Sequence, residues 1–542
     1  MSDDTLANKI IRRAAAMKTE FARHENVWRR CFEVTYPERA FGLNGNDQGD
    51  AQSAQVKKAQ LMDSTASDAC RLLASSIMSG MTPANGVWFA LDAGAETDEE
   101  RRWLDDAAKY LWERIHAANY DAAKFEGVVD STCAGWFALF IGENEQDGGL
   151  QFELWPIAQV RYSCSRPGAP VDTVYRCFKL TAEQAINVYG EANVSQKIRD
   201  CVTKNEHGEQ FEFIHAIYPR TAYMVDAKLG KNMPIASCHV EVSEKKIVRE
   251  SGFHEMPVIV PRWMIIPGSD YAIGPVSNAL PTIESLNALL LLESQALSRA
   301  AAGVYVAEDD GVLNPRAVKV KGGSVIVANS VDSIKELPSG ADFNVTFSKA
   351  DQYRSEIRRV MMADQLQPQD GPAMTATEVH VRVALIRQLL GPLFGRFQAE
   401  DLAPTIMRVF GLAMRSGALI EEVGPIPESL AGATLNIRYQ SPLARAQKLE
   451  EVTAIERVTA NVGGMIAAGF TDAADLIDTD EAVRAMGEGL GAPSRVIRDK
   501  KQVAKVRAAR VQSEQEQAQQ AQQQAMQGAA VQAALERSVK AA

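Results

Sequence analysis

The chain has 542 residues, of which 46% are hydrophobic and 23% are charged. These fractions are ordinary for globular proteins and exclude a chain that is disordered throughout. Asp and Glu together number 69 and Lys and Arg together number 58, so the formal net charge is −11. This balance excludes a basic protein that coats nucleic acid, and any contact with nucleic acid must be local or weak.

The cysteines and the apolar runs indicate the cellular compartment in which the protein folds. There are seven cysteines, and no two of them have the spacing CxxC. This pattern argues against a disulfide framework or a zinc module and is typical of a reducing cytoplasm. The first residues carry charges without an apolar run behind them, unlike a secretory signal. The most apolar run, Leu286–Leu292, is far shorter than the ~20 residues that a bilayer requires. We therefore expect a soluble intracellular protein that does not contact a membrane.

The N-terminal part of the chain is predicted to be helical. Three segments have the pattern of helices, namely residues 5–36, 55–81 and 97–119. Pro37 should end the first of them, and a short apolar strand is predicted at Val87–Leu91. Thr97 and Glu100 have the spacing of a capping box and should begin the third helix.

Between about residues 136 and 266 the apolar residues alternate with a period of two, as in strands. Six strands are predicted: Gln151–Trp155, Val160–Cys164, Thr173–Lys179, Phe211–Tyr218, Cys238–Val242 and Val258–Ile266. Two helices are predicted between them, at Thr181–Tyr189 and Asn193–Val202. This combination indicates an α+β region with a mixed or antiparallel sheet.

After residue 270 a long helix is predicted over 275–302. Its apolar residues on one side are Leu280, Ile283, Leu286, Leu290 and Leu297. A β-rich segment rich in turn residues follows over 304–345, and it includes a hairpin formed by Val318–Val320 and Ser324–Val327. Another helix is predicted at about 348–363.

The last third of the chain is again predicted to be helical. Residues 365–373 contain helix breakers, and the long helix that follows should end at Arg415 before Gly417. Pro392 and Pro404 should kink or split this helix.

A strand at Thr434–Tyr439 and helices at 442–468 and 480–489 complete the predicted elements. Residues 495–510 have a local charge of +6, and residues 511–527 contain nine glutamines. Composition alone leaves open whether this end is a solvated helix or disordered.

No motif in the chain indicates catalysis. The sequence contains none of the motifs Gly-Lys-[Ser/Thr], HExxH and Gly-x-Ser-x-Gly. Their absence argues against a phosphate-binding loop, a zinc protease and the nucleophile elbow of a hydrolase. Asp475, Asp478 and Asp480 form the best acidic cluster, but Glu481 stands where a calcium loop requires glycine. A helix cap is therefore expected there, and a metal-dependent nuclease is the enzyme alternative. We predict no catalytic residue, no metal ligand and no cofactor.

Four blocks of residues, in the same order along the chain as in a known family, carry a resemblance. They are Leu73–Phe89 (LASSIMSGMTPANGVWF), Tyr271–Asn287 (YAIGPVSNALPTIESLN), Met374–Val379 (MTATEV) and Tyr439–Gln447 (YQSPLARAQ). Together they resemble signatures of the head-to-tail connector, or portal, proteins of short-tailed (podovirus) bacteriophages. The glutamine-rich end has no counterpart in this resemblance.

The resemblance implies an α+β, mainly helical portal fold that assembles as a ring of about twelve copies. Its parts would be an α/β wing, a helical stem, a β-rich clip and a helical crown. The implied ranges are 1–270 for the wing (N-terminal helices plus a mixed sheet), 271–302 for the first stem helix, 303–346 for the clip, 347–363 for the second stem helix, 364–375 for the tunnel loop, 376–441 for the long helix and return to the wing, 442–500 for the crown, and 501–542 for a Gln/Ala-rich tail.

The resemblance also implies a function. The ring would sit at one vertex of the capsid in the virion, after assembly in the host cytoplasm, and DNA would be packaged and ejected through it. The implied partners are double-stranded DNA, the terminase large subunit, tail adaptor and tail tube proteins, major capsid and scaffold proteins, and internal core proteins. The alternative is a scaffold or ejection (core) protein inside the capsid, favoured by the Ala/Gln-rich end.

Eight side chains are candidates for lining the DNA channel. They are Lys319 and Lys321 in the clip, Arg354, Arg358 and Arg359 on the second stem helix, and Gln365, Gln367 and Gln369 in the tunnel loop. The basic residues would centre the duplex, and the glutamines would offer uncharged hydrogen bonds. Ion pairing within or between subunits is the alternative role for the basic residues. A wall of net negative or mixed charge would let DNA slide rather than bind tightly.

Overall fold

The computed structural model describes most of the chain. The described residues are 3–43, 50–84, 86–94, 97–144, 149–204, 206, 208–224, 229–302, 305–307, 334–336, 343–366, 391, 394–430, 436–439, 442–470, 472, 476–490, 502–513 and 515. The predicted clip hairpin, most of the tunnel loop and the start of the long helix after it lie outside these residues.

The described part is mainly helical, as predicted. Its helices are α1 (Asp3–Glu33), α2 (Asp50–Gln60), α3 (Thr65–Met81), α4 (Asp98–Ala117), α5 (Tyr120–Ala134), α6 (Ala182–Tyr189), α7 (Gln196–Thr203), α8 (Pro275–Ala302), α9 (Phe343–Val360), α10 (Ala363–Leu366), α11 (Ala403–Arg415), α12 (Ala418–Val423), α13 (Pro442–Ala467), α14 (Thr479–Leu490) and α15 (502–513). None of the described helices is both long and apolar enough to span a bilayer.

The strands pair antiparallel throughout the described part. They are β1 (Phe89–Asp92), β2 (Ala138–Glu143), β3 (Leu150–Trp155), β4 (Val160–Ser163), β5 (Thr173–Thr181), β6 (Gln210–Pro219), β7 (Ile235–Glu241), β8 (Lys246–Phe253), β9 (Val258–Ile259), β10 (Met264–Ile265), β11 (Ala272–Ile273), β12 (Tyr305–Ala307), β13 (Ile334–Glu336) and β14 (Asn436–Tyr439). The chain divides into two compact units, Met1–Ala84 with Arg114–Arg415 and Asn85–Glu113 with Ser416–Ala542.

The first unit is built on a five-stranded sheet in the order β4-β5-β6-β7-β8. Helix α1 covers one face, where Ile10 and Met17 pack against Tyr175 and Ile214. Helices α6 and α7 cover the other face, where their apolar side chains pack against Phe213 and its neighbours. Successive strand residues therefore face different helices, and the alternation seen in the sequence follows from this three-layer arrangement.

Three strands of this unit, β2, β8 and β11, were not predicted, and one predicted strand is split. Strand β2 is apolar and buried on both faces, so it lacks a period of two. Strand β8 is one of the two edge strands and carries charges that obscure its pattern. The predicted strand Val258–Ile266 is wrong as a single element because Pro261 lacks an N–H and the Arg262 N–H donates to Glu400 instead of a neighbouring strand.

Helix α5 was also missed by the sequence analysis. It lies at the centre of the first unit and contacts α1, α3, α8 and β3. Every residue of Gly127–Ala134 is buried, including Asp130, Ser131 and Thr132. Because this half of the helix is covered on all sides, it has no polar face, and the spacing of its apolar residues gives no helical signal.

The predicted helix over 55–81 is wrong as one element because the chain breaks between α2 and α3. The Asp63 side chain accepts a hydrogen bond from the Thr65 N–H at 2.8 Å and so satisfies one of the free donors at the start of α3. Burial raises the pKa of Asp63, but hydrogen bonds from Thr65 and Arg354 outweigh burial and leave its pKa below the ordinary value.

The second unit contains the strand pair β1 and β14, aligned with Phe89 opposite Tyr439. The predicted capping box is confirmed: Thr97 N–H donates to Glu100 and Glu100 N–H donates to Thr97, at 3.2 and 3.3 Å. The expected helix cap at Asp478 is confirmed as well, because its Oδ1 accepts two backbone N–H groups at the start of α14.

Helix α15 is tied to α14 in the second unit. Arg507 donates to both carboxylate oxygens of Asp480, at 2.7 and 2.8 Å. One basic residue of the C-terminal segment is therefore paired with an acid of the preceding helix. The remainder of the glutamine-rich end lies beyond the described residues.

Candidate functional site

Helices α8 and α9 pack against each other and form a helical hairpin, here called the stem hairpin (Pro275–Ala302 and Phe343–Val360). At its far end the strands β12 and β13 pair antiparallel, with Tyr305 opposite Glu336. Because an antiparallel pair brings the end of α8 beside the start of α9, the two helices run in opposite directions.

Two glycines set the direction of α8. The backbone at Gly274 lies so close to α5 that a Cβ atom there would meet the Thr132 carbonyl oxygen at 2.4 Å. Gly135, with φ +89°, would place a Cβ atom at 2.2 Å from the Ile273 carbonyl carbon. Only glycine permits this approach of two backbones. The start of the stem hairpin is thus held directly against the C-terminal end of the buried helix α5.

An aromatic cluster anchors the same junction. Trp28 donates its indole N–H to the Ala272 carbonyl at 3.1 Å. The ring of Tyr271 lies 5.3 Å from that of Trp28 and 4.4 Å from that of Tyr162. Since these rings are buried, α1, the sheet and the residues before α8 share one apolar core.

An ion pair on the outside of the unit joins α1 to the stem hairpin. Arg30 donates to both carboxylate oxygens of Glu284, at 2.6 and 2.7 Å. The hydrogen bond to Glu284 raises the pKa of Arg30 above its ordinary value. The bidentate geometry fixes direction as well as distance.

Arg354, a channel candidate, forms ion pairs with two acidic residues of its own chain. Its Nε donates to Asp63 at 2.8 Å and its Nη1 donates to Asp351 at 3.0 Å. The hydrogen bond to Asp63 is the largest cause that raises the pKa of Arg354. The pair with Asp63 connects α9 to the break between α2 and α3.

Arg358 and Arg359 differ from Arg354, because both side chains are exposed and neither contacts an acid among the described residues. Arg359 borders an open groove along α9 and α10. The other residues of the groove are polar: Ser348, Asp351, Gln352, Ser355, Glu356 and Asp364.

The remaining channel candidates are not brought together by the described structure. Lys319, Lys321, Gln367 and Gln369 lie outside the described residues. Gln365 lies in α10, where only its backbone is described. The structure therefore places the three arginines on one helix and leaves the other five candidates as predictions.

The sequence analysis kept ion pairing as an alternative role for these arginines but did not identify Asp63 and Asp351 as the partners of Arg354. The exposed charged side chains of α9 and α10 are Lys349, Asp351, Glu356, Arg358, Arg359 and Asp364, three of each sign. The i,i+3 spacing of Asp351 and Arg354 was a signal of their pairing. No local signal indicated Asp63, which lies 291 residues before Arg354.

A π-helical segment, Gln398–Leu402, precedes α11 and Pro404. Pro404 was expected to kink or split the helix, and the wider turn before it is the form that this disturbance takes. Glu400 pairs with the buried Arg262 at 2.7 Å, and Asp401 pairs with Lys124 of α5. The end of α11 agrees with the prediction, since Gly417 has φ +77° just after Arg415.

The buried acids and bases of this segment have perturbed ionisation. Burial raises the pKa of Asp401 and lowers the pKa of Lys124, while each partner's charge opposes that shift. For Arg262, the charge and hydrogen bonds of Glu400 outweigh burial and raise its pKa. These pairs fix the helix against the first unit rather than exposing reactive groups.

One group of side chains could hold a cation within the described residues: Cys201, Glu206 and Glu209. The Cys201 thiol donates to Glu209 at 3.0 Å, and Lys197 pairs with the same carboxylate at 3.0 Å. The charge of Glu209 is thus already balanced by Lys197. Of the acidic cluster seen in the sequence, Asp478 caps a helix and Asp480 binds Arg507.

Comparisons with known proteins identify the family. The model of the family described as "Bacteriophage head to tail connecting protein" matches residues 7–497. The portal protein of Salmonella phage epsilon15 is 27% identical over 524 residues, which cover 93% of this chain and 91% of that protein. The probable portal protein of Bordetella phage BPP-1 is 24% identical over 527 residues, which cover 94% and 91%.

A solved structure titled "Neck of empty GTA particle computed with C6 symmetry" is similar over 78% of this chain and 88% of its own, with 13% identity and a TM-score of 0.34. The family match covers almost the whole chain and includes the four blocks of residues that carry the resemblance. The chain therefore belongs to the family of bacteriophage head to tail connecting proteins, the portal proteins, and it connects the phage head to the tail.

Proposed function

We propose that about twelve copies of this chain form a closed ring at one vertex of the capsid, and that double-stranded DNA passes through its axis during packaging and ejection. As a head-to-tail connector the protein is part of the phage particle, and we infer that it is assembled in the host cytoplasm. The stem hairpin is the observation that carries this proposal.

The charges on the stem hairpin and α10 favour the passage of DNA over tight binding of DNA. Many Lys and Arg contacts to phosphates release counterions and hold a duplex strongly. The exposed charges of α9 and α10 comprise three acids and three bases, and Arg354 is engaged by Asp63 and Asp351. A surface of this kind can centre DNA without retaining it.

Arg358 and Arg359 are the described residues that best fit the channel. They are exposed on α9 and lack acidic partners among the described residues, so their charges are available to phosphates. We propose the same role for Lys319 and Lys321, and uncharged contacts with DNA for Gln365, Gln367 and Gln369.

We further propose that the partners are divided along the chain. The clip, residues 303–346, would meet the terminase large subunit during packaging and the tail adaptor and tail tube proteins afterwards. The wing would meet the major capsid and scaffold proteins, and the crown would face internal core proteins. Since the sequence lacks a phosphate-binding loop, ATP hydrolysis is assigned to the terminase.

Electron microscopy of the purified protein tests the ring. We expect rings of about twelve subunits with an axial hole wide enough for a DNA duplex. Monomers under all conditions of salt and concentration, or particles with a solid centre, would overturn the proposal.

A further inference from the structure

Three cysteines from three different helices meet in the core of the first unit, here called the thiol junction (Cys31, Cys70 and Cys133). Cys31 lies near the end of α1, Cys70 lies in α3, and Cys133 lies near the end of α5. All three side chains are fully buried, and all three are free thiols. The junction therefore gathers oxidisable groups at a point where three helices are packed together.

Hydrogen bonds at the end of α1 bring α3 and α5 to this point. The Thr35 hydroxyl donates to the Cys31 carbonyl at 2.7 Å and lies 3.4 Å from the Cys133 sulfur. The Thr35 carbonyl accepts a hydrogen bond from the Ser67 hydroxyl of α3, also at 2.7 Å. Cys70 follows Ser67 by three residues and so lies on the same face of α3, one turn further along.

Within the junction, the thiols of Cys70 and Cys133 are in direct contact. Their hydrogen bond is the largest cause that raises the pKa of Cys70 well above its ordinary value, and burial adds to it. Cys31 acts on the other two only through its charge. Of the three possible pairs, Cys70 with Cys133 is therefore the pair that is already placed for a bond.

The packing of α3 against α5 suits a covalent link. A disulfide bond requires Cα atoms about 4.4–6.8 Å apart. The distance between packed helices depends on the side chains at their contact, so small residues permit a close approach. Several buried residues within one turn of the pair are small: Ala66, Ala69 and Ala74 in α3, and Ser131, Thr132 and Ala134 in α5.

We propose that Cys70 and Cys133 form a disulfide bond when the protein passes from the reducing cytoplasm into an oxidising medium, with a peroxide as the oxidant. The inference rests on the proposed assembly in the host cytoplasm, where thiols stay reduced. One thiol is oxidised by hydrogen peroxide to a sulfenic acid, and water is released. The second thiol attacks that sulfur and displaces a second water. Two electrons thus pass from the sulfurs to the O–O bond.

The bond would form slowly and would act on the root of the stem hairpin. Because burial and the raised pKa of Cys70 keep its thiolate scarce, folding and assembly are complete before oxidation. Helix α3 contacts α9, and α5 contacts α8. The bond therefore ties together the two helices on which the stem hairpin rests, and it removes entropy from the unfolded chain.

The first test identifies the bond in the unmodified protein. The purified protein is treated with hydrogen peroxide, the remaining thiols are alkylated under denaturing conditions, and an unreduced digest is analysed by mass spectrometry. We expect the Cys70–Cys133 peptide pair to be at least ~10-fold more abundant than any other cysteine pair, because disulfide geometry is specific. A non-reducing gel should show monomers, since the bond lies within one chain.

Three results of this test would overturn the inference. The first is that both thiols remain free, as expected if the cysteines serve only as small apolar residues of the core. The second is that Cys31–Cys133 is the dominant pair. The third is a bond that joins two chains. This test needs no variant, so it decides the inference even if a substituted protein does not fold.

The second test measures thermal unfolding before and after oxidation. We expect the unmodified protein and Cys31→Ala to unfold at a temperature at least ~3 °C higher after oxidation, and dithiothreitol to reverse this gain. Cys70→Ala and Cys133→Ala should show no gain. Cys31→Ala is the matched control, because it removes a buried thiol from the same junction and leaves the pair intact. Equal shifts in all four proteins, or no shift in the unmodified protein, would contradict the inference.

The third test concerns the time at which the bond forms. Phage particles that are denatured and alkylated at the moment of lysis should lack the bond, and particles kept in a medium containing peroxide should acquire it. A bond that is complete at lysis would overturn the link to release. Electron microscopy of the reduced protein tests the ring separately: rings without the bond reject this inference alone, and absence of rings rejects the proposed function while the peptide map still decides the bond.

Discussion

Lys124 of α5 and Asp401 of the π-helical segment form an ion pair whose side chains are 2% and 0% exposed. Lys124 also lies 5.0 Å from the centre of the Phe137 ring, and Asp401 Oδ2 has no hydrogen-bond partner in the described structure. The pair joins residues that are 277 positions apart. It fixes the helix before α11 to the centre of the first unit. Removing only one of the two partners should lower the free energy of unfolding strongly, because the other charge is left buried alone.

We expect Lys124→Met to destabilise the protein by about 3–5 kcal/mol, because it leaves the Asp401 charge buried without a partner. Lys124→Met combined with Asp401→Leu should recover most of the loss, since an apolar pair needs no compensation. Thermal unfolding of the three proteins measures the effect.

The exposed pair of Lys58 and Glu38 provides a control for this prediction. Lys58→Met should have an effect below about 1 kcal/mol. A Lys124→Met protein as stable as the Lys58→Met protein would contradict the structural role of the buried pair.

Gly274→Ala should destabilise the first unit and disturb the direction of α8. The added Cβ atom would lie 2.4 Å from the Thr132 carbonyl oxygen, and neither backbone can move independently of its helix. Gly80→Ala is the matched control, because that helical position has no atom within 4 Å of the new Cβ and should be neutral or slightly stabilising. Thermal unfolding and ring formation are the measurements, and similar behaviour of the two variants would contradict the role of Gly274.

A stacked pair of histidines makes the five-stranded sheet sensitive to acid. The rings of His215 and His239 lie 3.8 Å apart. Burial lowers the pKa of His215, and it lowers the pKa of His239 to about 3, with Arg176 and Arg249 adding to the effect. The other groups that face the pair are neutral: His215 bonds Ser237, His239 bonds Tyr189, and Trp155 packs on His215.

The pKa of each histidine is lower in the folded state than the ordinary value of 6.5. The unfolded chain therefore binds more protons below that pH, and stability falls as the pH falls through this range. For His239 alone, two pH units below the unfolded-state pKa correspond to roughly 2–3 kcal/mol.

The double variant His215→Gln/His239→Gln tests this pH dependence. It should show a smaller loss of the free energy of unfolding between pH 6.5 and pH 4 than the unmodified protein. Denaturant titrations across this range measure the slope. An unchanged slope would mean that the histidines are not the groups responsible.

The three arginines of α9 should behave differently when replaced. Arg354→Ala should lower the free energy of unfolding by about 1 kcal/mol, because it removes partly exposed pairs with Asp63 and Asp351. Arg358→Glu/Arg359→Glu should leave thermal unfolding within about 0.5 kcal/mol, because these side chains are exposed.

We expect the Arg358→Glu/Arg359→Glu rings to assemble normally and to change the salt dependence of DNA packaging in vitro, since two cationic sites are replaced by anionic ones. Ser355→Glu, at an exposed position of the same groove, adds charge without removing a base. If the double variant packages DNA with the same salt dependence as the unmodified protein, the two arginines lie outside the channel.

The candidate site was only partly predictable. The helix that carries Arg354, Arg358 and Arg359 was placed correctly, although α9 begins at Phe343 rather than near residue 348. The i,i+3 spacing indicated the pair of Arg354 with Asp351. The pair with Asp63 could not be read from spacing, because Asp63 reaches Arg354 through the packing of α3 against α9. The exposure of Leu292 and Leu297 on α8 was likewise unpredictable, since their pattern is that of an ordinary core helix.

By itself, the sequence determined the features that depend on neighbours along the chain. The Thr97–Glu100 capping box and the Asp478 cap join groups no more than three residues apart, so local geometry suffices to form them. The order of the four blocks, of which Tyr271–Asn287 is one, was enough to indicate the family.

Only the tertiary structure decided the position of α5, the break at Asp63 and the partners of Lys124 and Arg354. The C-terminal half of α5, Gly127–Ala134, is buried on all sides, which removes the polar face that a periodic pattern needs. The ion pairs join residues that are 277 and 291 positions apart. Charges of opposite sign are abundant in this chain, and only packing selects which of them meet.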